Sequence, residues 1–273
     1  MRRRGFLGNH YPPLKPPHHL LRKLERGRCS NTFLVEDLQP KCVREYYTEL
    51  SLDHRHLSIW QLRSLTVRST SALQGGFIHE PNFLQAVAKR ASGSPEPLLP
   101  ILHDHFAQRG PHGVHYCFLT SPLRSHVHAF HASAPTGKLA VHIIKPIITC
   151  VVESLKVLHS LNIIHAGRCN NTPNHFVYTY LHIKADNVLF LGPNTAEIEE
   201  MIAKEPPLID GSFKFQSGQY PILRSQPFHP RISWDASPFV AETIQVVLSG
   251  LGAGMQTLIP SGGINICNAF VGR

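Results

Sequence analysis

Between Lys138 and Ser160, the residues Ile144, Ile148, Val151, Leu155 and Leu158 recur at intervals of four and three, the spacing of one face of an α-helix. A helix this long with one apolar stripe has to bury that stripe, so the chain needs a packed core around it. The surrounding apolar region, Val141 to Leu161, is interrupted by Lys145, Pro146, Glu153 and Lys156. Those residues make it too polar for a membrane span. Pro146 is compatible with the helix only near its start, within the first turn.

The rest of the chain supplies the partners. His18 to Asp37 reads as two strands joined by a tight turn around Gly27. Leu98 to Phe106 and Val114 to Leu119 read as a second hairpin, closed by Gly110-Pro-His-Gly113. Residues 41–60 look helical, whereas residues 61–98 carry little pattern and end in the loop-like run Ala91 to Pro97. Downstream, Val188 to Phe190 reads as a strand, Glu197 to Lys204 as a helix, 205–236 as linker-like, and Thr243 to Leu248 as a further strand. Strands first, then a long helix and short strands, predict an α+β protein with two lobes. The expected boundaries are a flexible basic, Pro-rich arm over 1–18, a sheet-bearing lobe over 19–120, and a partial second lobe over 121–273.

Charge and composition narrow the function classes. Lys and Arg total 27 against 18 Asp and Glu, a net charge of +9, part of which sits in Arg2, Arg3, Arg4 and the run from Arg22 to Arg28. Such a surface favours acidic partners. Nucleic acid is disfavoured among them, because no aromatic platforms interleave with the basic residues. Six cysteines without a C-x-x-C pair argue against a zinc ribbon or a disulfide framework and fit a soluble, intracellular chain. The histidines at 103, 105, 126, 128 and 131 lack the converging spacing of a metal site.

Two stretches carry chemistry. Leu24-Glu-Arg-Gly-Arg-Cys-Ser-Asn-Thr-Phe-Leu-Val-Glu-Asp37 resembles the glycine-rich loop of SR-protein kinases, in which Gly27 and Ser30 match and Glu25 stands at the place of the first glycine. Leu158-His-Ser-Leu-Asn-Ile-Ile-His165, followed after a break by His182-Ile-Lys-Ala-Asp-Asn-Val-Leu-Phe190, is similar to the catalytic loop of the same family. Gly110 to Leu119 is similar to the strand entering the hinge, and Ser121-Pro-Leu123 stands for the hinge itself.

The resemblance implies a kinase-like two-lobe fold with an incomplete second lobe. It implies ATP bound by Gly27, Ser30 and Leu123, magnesium held by Asn187, and Lys184 steadying the transferred phosphoryl group. His182 stands where the catalytic Asp belongs. Ser/Arg-rich proteins are the implied substrates, with a protein partner of a non-catalytic pseudokinase as the alternative.

The departures from the family pattern are extensive. Residues 166–181 have no counterpart in the catalytic-loop motif, as a translated intron or similar gene-model artefact would not. The strand lysine expected after Asp37 is missing, with Lys41 a poor substitute and Glu45 or Glu49 the candidate helix carboxylate. Gly250-Leu-Gly252 replaces the Asp-Leu-Gly that would bind magnesium. The expectation is therefore a protein kinase homologue with phosphoryl transfer impaired or lost.

Overall fold

A computed structural model describes residues 18–27, 30–37, 61–70, 80–90, 98–110, 113–167, 180–181, 183–215, 218–251 and 255–256. The expected helix over 41–60, with Lys41, Glu45 and Glu49, lies outside the described residues, and so does His182.

The first half is one antiparallel sheet of five strands in the order β1-β2-β3-β5-β4. The strands are β1 (His18–Arg26), β2 (Ser30–Asp37), β3 (Gln61–Arg68), β4 (Leu102–Gly110) and β5 (Gly113–Thr120). Both hairpins read from the sequence are present, although β4 begins at Leu102 and not at Leu98. Among its described residues, the weakly patterned stretch 61–98 contains regular elements and not only loop. One is β3, the central strand, and the other is helix α1 (Glu80–Arg90). The strand's alternation is real but muted. Leu65 and Val67 face a core with Leu20, Val35, Cys117 and Leu119, while Ser64, Thr66 and Arg68 line a cavity. Polar residues on the second face ordinarily meet solvent; here they face the interior of a cleft. Cys117, fully buried in that core, has its thiol pKa pushed up to about 12 by burial, so it is an inert packing group.

The second half is built on helices α2 (Val127–Ala132) and α3 (Val141–Ser160), with the short pair β9 (Val188–Phe190) and β12 (Val246–Leu248). Between them lie the two-residue strands β6 (Ile163–Ile164), β7 (Ala166–Gly167) and β8 (Tyr180–Leu181). Helix α4 (Thr195–Lys204) starts at a capping box in which Asn194 and Glu197 satisfy each other's backbone N–H groups. Residues 205–236, read as a linker, contain a hairpin of β10 (Ile209–Phe215) and β11 (Gly218–Leu223), whose Leu223 joins the core of the first sheet. A four-residue helix α5 (Pro238–Ala241) packs on α3, and β13 (Met255–Gln256) pairs with β6.

One core binds the halves. Phe83, Leu84 and Val87 of α1 pack with Ile143, Ile147 and Leu158 of α3 and with Val188, Phe190, Val246 and Leu248 of the β9–β12 pair. The buried face of α3 is rotated from the stripe read in the sequence: Ile143 and Ile147 are covered, while Ile144 and Ile148 are exposed. Adjacent isoleucine pairs, 143–144 and 147–148, offer two stripes with the same period, and only the neighbouring elements choose between them. Pro146 lies one turn deeper than expected, as the sixth residue of the helix, where it leaves the His142 carbonyl without its helical donor. No described helix is long and apolar enough to cross a membrane.

Candidate functional site

Between the sheet and the helical half lies a cavity of about 500 Å3. Five of the six residues singled out from the sequence line it: Gly27 and Ser30 from the β1–β2 hairpin, Leu123 from the segment after β5, and Lys184 and Asn187 from the opposite wall. They are separated by more than 150 residues of chain, so it is the tertiary structure that brings them together.

Each wall follows from local structure. The β1–β2 turn is tightened by the Gly27 N–H, which donates to the Ser30 carbonyl at 2.9 Å. After β5 the chain runs through Ser121, Pro122 and Leu123, held by the Ser121 N–H donating to the Ile101 carbonyl and the Arg124 N–H to the Phe190 carbonyl. Gly192 presses against this connection. A Cβ there would sit 2.8 Å from the Pro122 carbonyl carbon and closer still to its oxygen, so any side chain would displace the segment. Leu24, Phe118, Leu123 and Leu189 give the cavity apolar surfaces.

The opposite wall is a single 3-10 turn, Ala185–Asn187, entered from Lys184. The Asn187 N–H donates to the Lys184 carbonyl at 2.9 Å, and the Asn187 carbonyl accepts from the Ser249 N–H at 2.7 Å. Gly250 follows with φ +78°, and a Cβ on it would meet the Asn187 carboxamide at 2.7 Å. This is the position where the sequence resemblance expects a magnesium-binding Asp, and the backbone here is in the left-handed region. His165, the last residue of the first half of the interrupted loop motif, is buried, and its Nε2–H donates to the Ser249 carbonyl at 2.9 Å. The ends of the extra run 166–181 pair as β7 and β8, Ala166 with Leu181 and Gly167 with Tyr180.

Two charged residues here, Arg68 and Glu80, had no motif to mark them. Arg68, at the end of β3, forms an ion pair with Glu80, the first residue of α1, and its guanidinium lies 5.7 Å from the centre of the Phe118 ring. Glu80 is only 4 % exposed, so the pair is shielded from solvent. The carboxylate facing the strand thus comes from Glu80 among the described residues. Asp186 accepts from Lys184 Nζ at 3.1 Å, and that bond, helped by the charges of Lys184, His128 and His126, holds its pKa below the ordinary carboxylate value against the opposing effect of burial.

Glu25 shares the cavity with Lys184, Asp186 and His126. Burial raises its pKa, the nearby Asp186 adds to that, and His126 and Lys184 only partly offset it. Arg68 and Glu80 were illegible because they sit in the weakly patterned stretch. Their signal is the alternation Leu65-Thr-Val67 immediately before Arg68.

An ion cluster is centred on the buried Arg124, which itself lines the cavity. Arg124 donates to both Glu197 oxygens, at 2.9 and 3.1 Å, and to the His229 carbonyl at 2.9 Å, and Arg231 also pairs with Glu197. Burial pushes the Glu197 carboxyl up, but the Asn194 N–H and the guanidinium groups of Arg231 and Arg124 outweigh it and hold its pKa below the usual value.

Compared with known structures, the chain is similar to the crystal structure of the PF14_0431 kinase domain, with a TM-score of 0.51 at 12% sequence identity over 97% of this chain. The fold is that of a protein kinase domain. The similarity spans 57% of the length of that solved chain. No protein-family model matches the sequence, and no curated protein matches it. In that frame the cavity is the cleft between a kinase-like sheet and its helical half.

The groups a kinase fold implies fit the cleft unequally. A nucleoside fits the cavity, where Leu24, Phe118, Leu123 and Leu189 among its lining residues offer surfaces for a planar base. For magnesium, Asn187 is the one ligand implied by the resemblance that is in place. Among the described residues no three His, Cys, Asp or Glu side chains come together to hold a metal ion, and Gly250 brings no carboxylate beside Asn187.

Proposed function

We propose that this chain is a kinase-like domain of the SR-protein-kinase type that retains a nucleotide cleft and has lost efficient phosphoryl transfer. The observation that carries this reading is the convergence of the Gly27–Ser30 turn, the Leu123 segment and the Lys184–Asn187 turn on one cavity within a kinase-domain fold. The subtype rests on the sequence resemblance of the two loop motifs. ATP is the implied ligand, and Ser/Arg-rich protein is the implied substrate class of the ancestral reaction. Transfer is impaired because it depends on cations placed to neutralise developing charge. Gly250 removes one metal-binding carboxylate, and the only cation of β3 lining the cleft, Arg68, is engaged by Glu80.

The test is thermal unfolding of the purified chain with and without adenosine, ATP and magnesium, followed by phosphotransfer to a Ser/Arg-rich peptide. A ligand present at about 100 times its Kd stabilises the folded state by roughly 2.7 kcal/mol. The expected result is a rise in midpoint with nucleoside or nucleotide and no transfer above background. Absence of any shift in a cooperatively unfolding chain would sink the cleft assignment.

A second reading, a non-catalytic pseudokinase that docks a protein partner, is favoured by one observation. Val141, Ile144, Ile148 and Val152 form an exposed apolar row along α3, at 67, 37, 55 and 43 % exposure. A pull-down comparing wild type with I148E separates it from the first reading, which gives that row no role.

A further inference from the structure

We propose, resting on the nucleotide-cleft reading, that Arg26 is the residue of this cleft that recognises the phosphates of a nucleotide, a role for which β3 carries no lysine. Five basic side chains line the cavity: Arg26, Arg68, Arg124, His126 and Lys184. Three of them are held by carboxylates. Arg68 pairs with Glu80, Lys184 with Asp186 at 3.1 Å, and Arg124 with both oxygens of Glu197. His126 uses its Nδ1 to accept from the Ala129 N–H, which caps α2. Arg26, the last residue of β1, has no acidic partner among the described residues.

That difference decides which cation meets an anionic ligand. Glu80 is buried, so drawing Arg68 onto a phosphate would leave a shielded carboxylate unpaired. Arg124 is itself buried and also donates to the His229 carbonyl, so it has little freedom to turn. Arg26 is exposed and gives up no partner, and its planar guanidinium can meet two phosphate oxygens at once. It stands on the same hairpin as Gly27 and Ser30, opposite Asn31 in the β1–β2 register. The surrounding charges favour an anion there. The charges that act on the neighbouring Glu25 are those of His126, Asp186 and Lys184. Arg26 instead acts on Lys23, whose pKa is lowered first by burial and then by the Arg26 charge. Asp210, the carboxylate that acts on Lys23 in the opposite sense, is already held by Arg224 at 2.6 Å.

The experiment is titration calorimetry with adenosine and with ATP, in EDTA at neutral pH and at low and high salt, on wild type, R26Q and R26E. ATP is expected to bind wild type more tightly than adenosine does. R26Q is expected to lower ATP affinity about tenfold and leave adenosine affinity within about twofold, with R26E lowering ATP affinity further. Salt should weaken ATP binding to wild type more than to R26Q, because an exposed charge contact is screened. Melting midpoints of both variants should match wild type, since Arg26 is exposed and unpaired, which separates lost recognition from lost folding. ATP affinity that neither substitution changes overturns the proposal, as does an equal loss for both ligands or ATP bound no more tightly than adenosine. Binding of neither ligand to wild type removes the cleft reading and this proposal with it, an outcome distinct from ATP binding that ignores Arg26.

Discussion

At the hinge end of the cleft the structure works by shape, with Leu123 on a connection so tightly seated that Gly192 has no room for a Cβ. At the turn end it works by charge, with Arg68 held by Glu80, Lys184 by Asp186, and Glu25 left in a place that raises its pKa. The two ends respond differently to substitution. Shape tolerates loss of charge but not gain of volume. Paired charge tolerates small changes of volume but not removal of one partner.

The contrast is broken most severely by filling the hinge end. Gly192→Ala is expected to cost about 3 kcal/mol, because the Pro122 backbone has to move, and urea unfolding would show it as a lower midpoint. A midpoint within error of wild type would mean the segment is not seated as described. Next in size, Glu197→Gln removes one partner of the buried Arg124 and weakens the α4 cap, for an expected loss of about 2 kcal/mol. Because the Glu197 pKa is depressed in the folded state, its contribution is present above the unfolded carboxylate value and fades as pH falls through the folded one. Stability measured against pH should therefore fall less steeply on the acid side in the variant.

Gly250→Asp tests whether the turn end can be repaired by one residue. Positive φ and the Asn187 carboxamide both oppose the new side chain, so a loss of about 1 kcal/mol is expected, with no recovery of transfer to peptide. Restored transfer would show that Gly250 alone was limiting. The smallest effect is expected of E25Q on stability. A carboxyl with a raised folded pKa is destabilising once ionised, so folding loses stability as pH rises from the unfolded to the folded Glu25 pKa. E25Q should remove that slope and stabilise the chain by up to about 1 kcal/mol at neutral pH, read from melts at several pH values.

Much of the first sheet was legible because its hairpins are local. Gly27 between two apolar runs, and Gly110-Pro-His-Gly113 between two others, specify turns through nearby residues alone. The positions of Gly27, Ser30, Leu123, Lys184 and Asn187 were legible only by resemblance of short motifs. Their meeting in one cavity is a matter of the chain's path. Strand β3 was missed because its polar face lines the cleft, and the hairpin of β10 and β11 was missed because proline and serine around it read as a linker.

The sequence by itself determined where the chain turns, that α3 is a long helix, and that the loop motifs depart from an active kinase at Glu25, His182 and Gly250. Only the tertiary structure decided which of two isoleucine stripes on α3 is buried, that Arg68 meets Glu80, and that the run 166–181 closes on a β7–β8 pair and leaves His165 bonded to Ser249. The reason is range. Turn chemistry and helical periodicity are set within a few residues, whereas burial and ion pairing depend on neighbours brought together by packing, which no local pattern encodes.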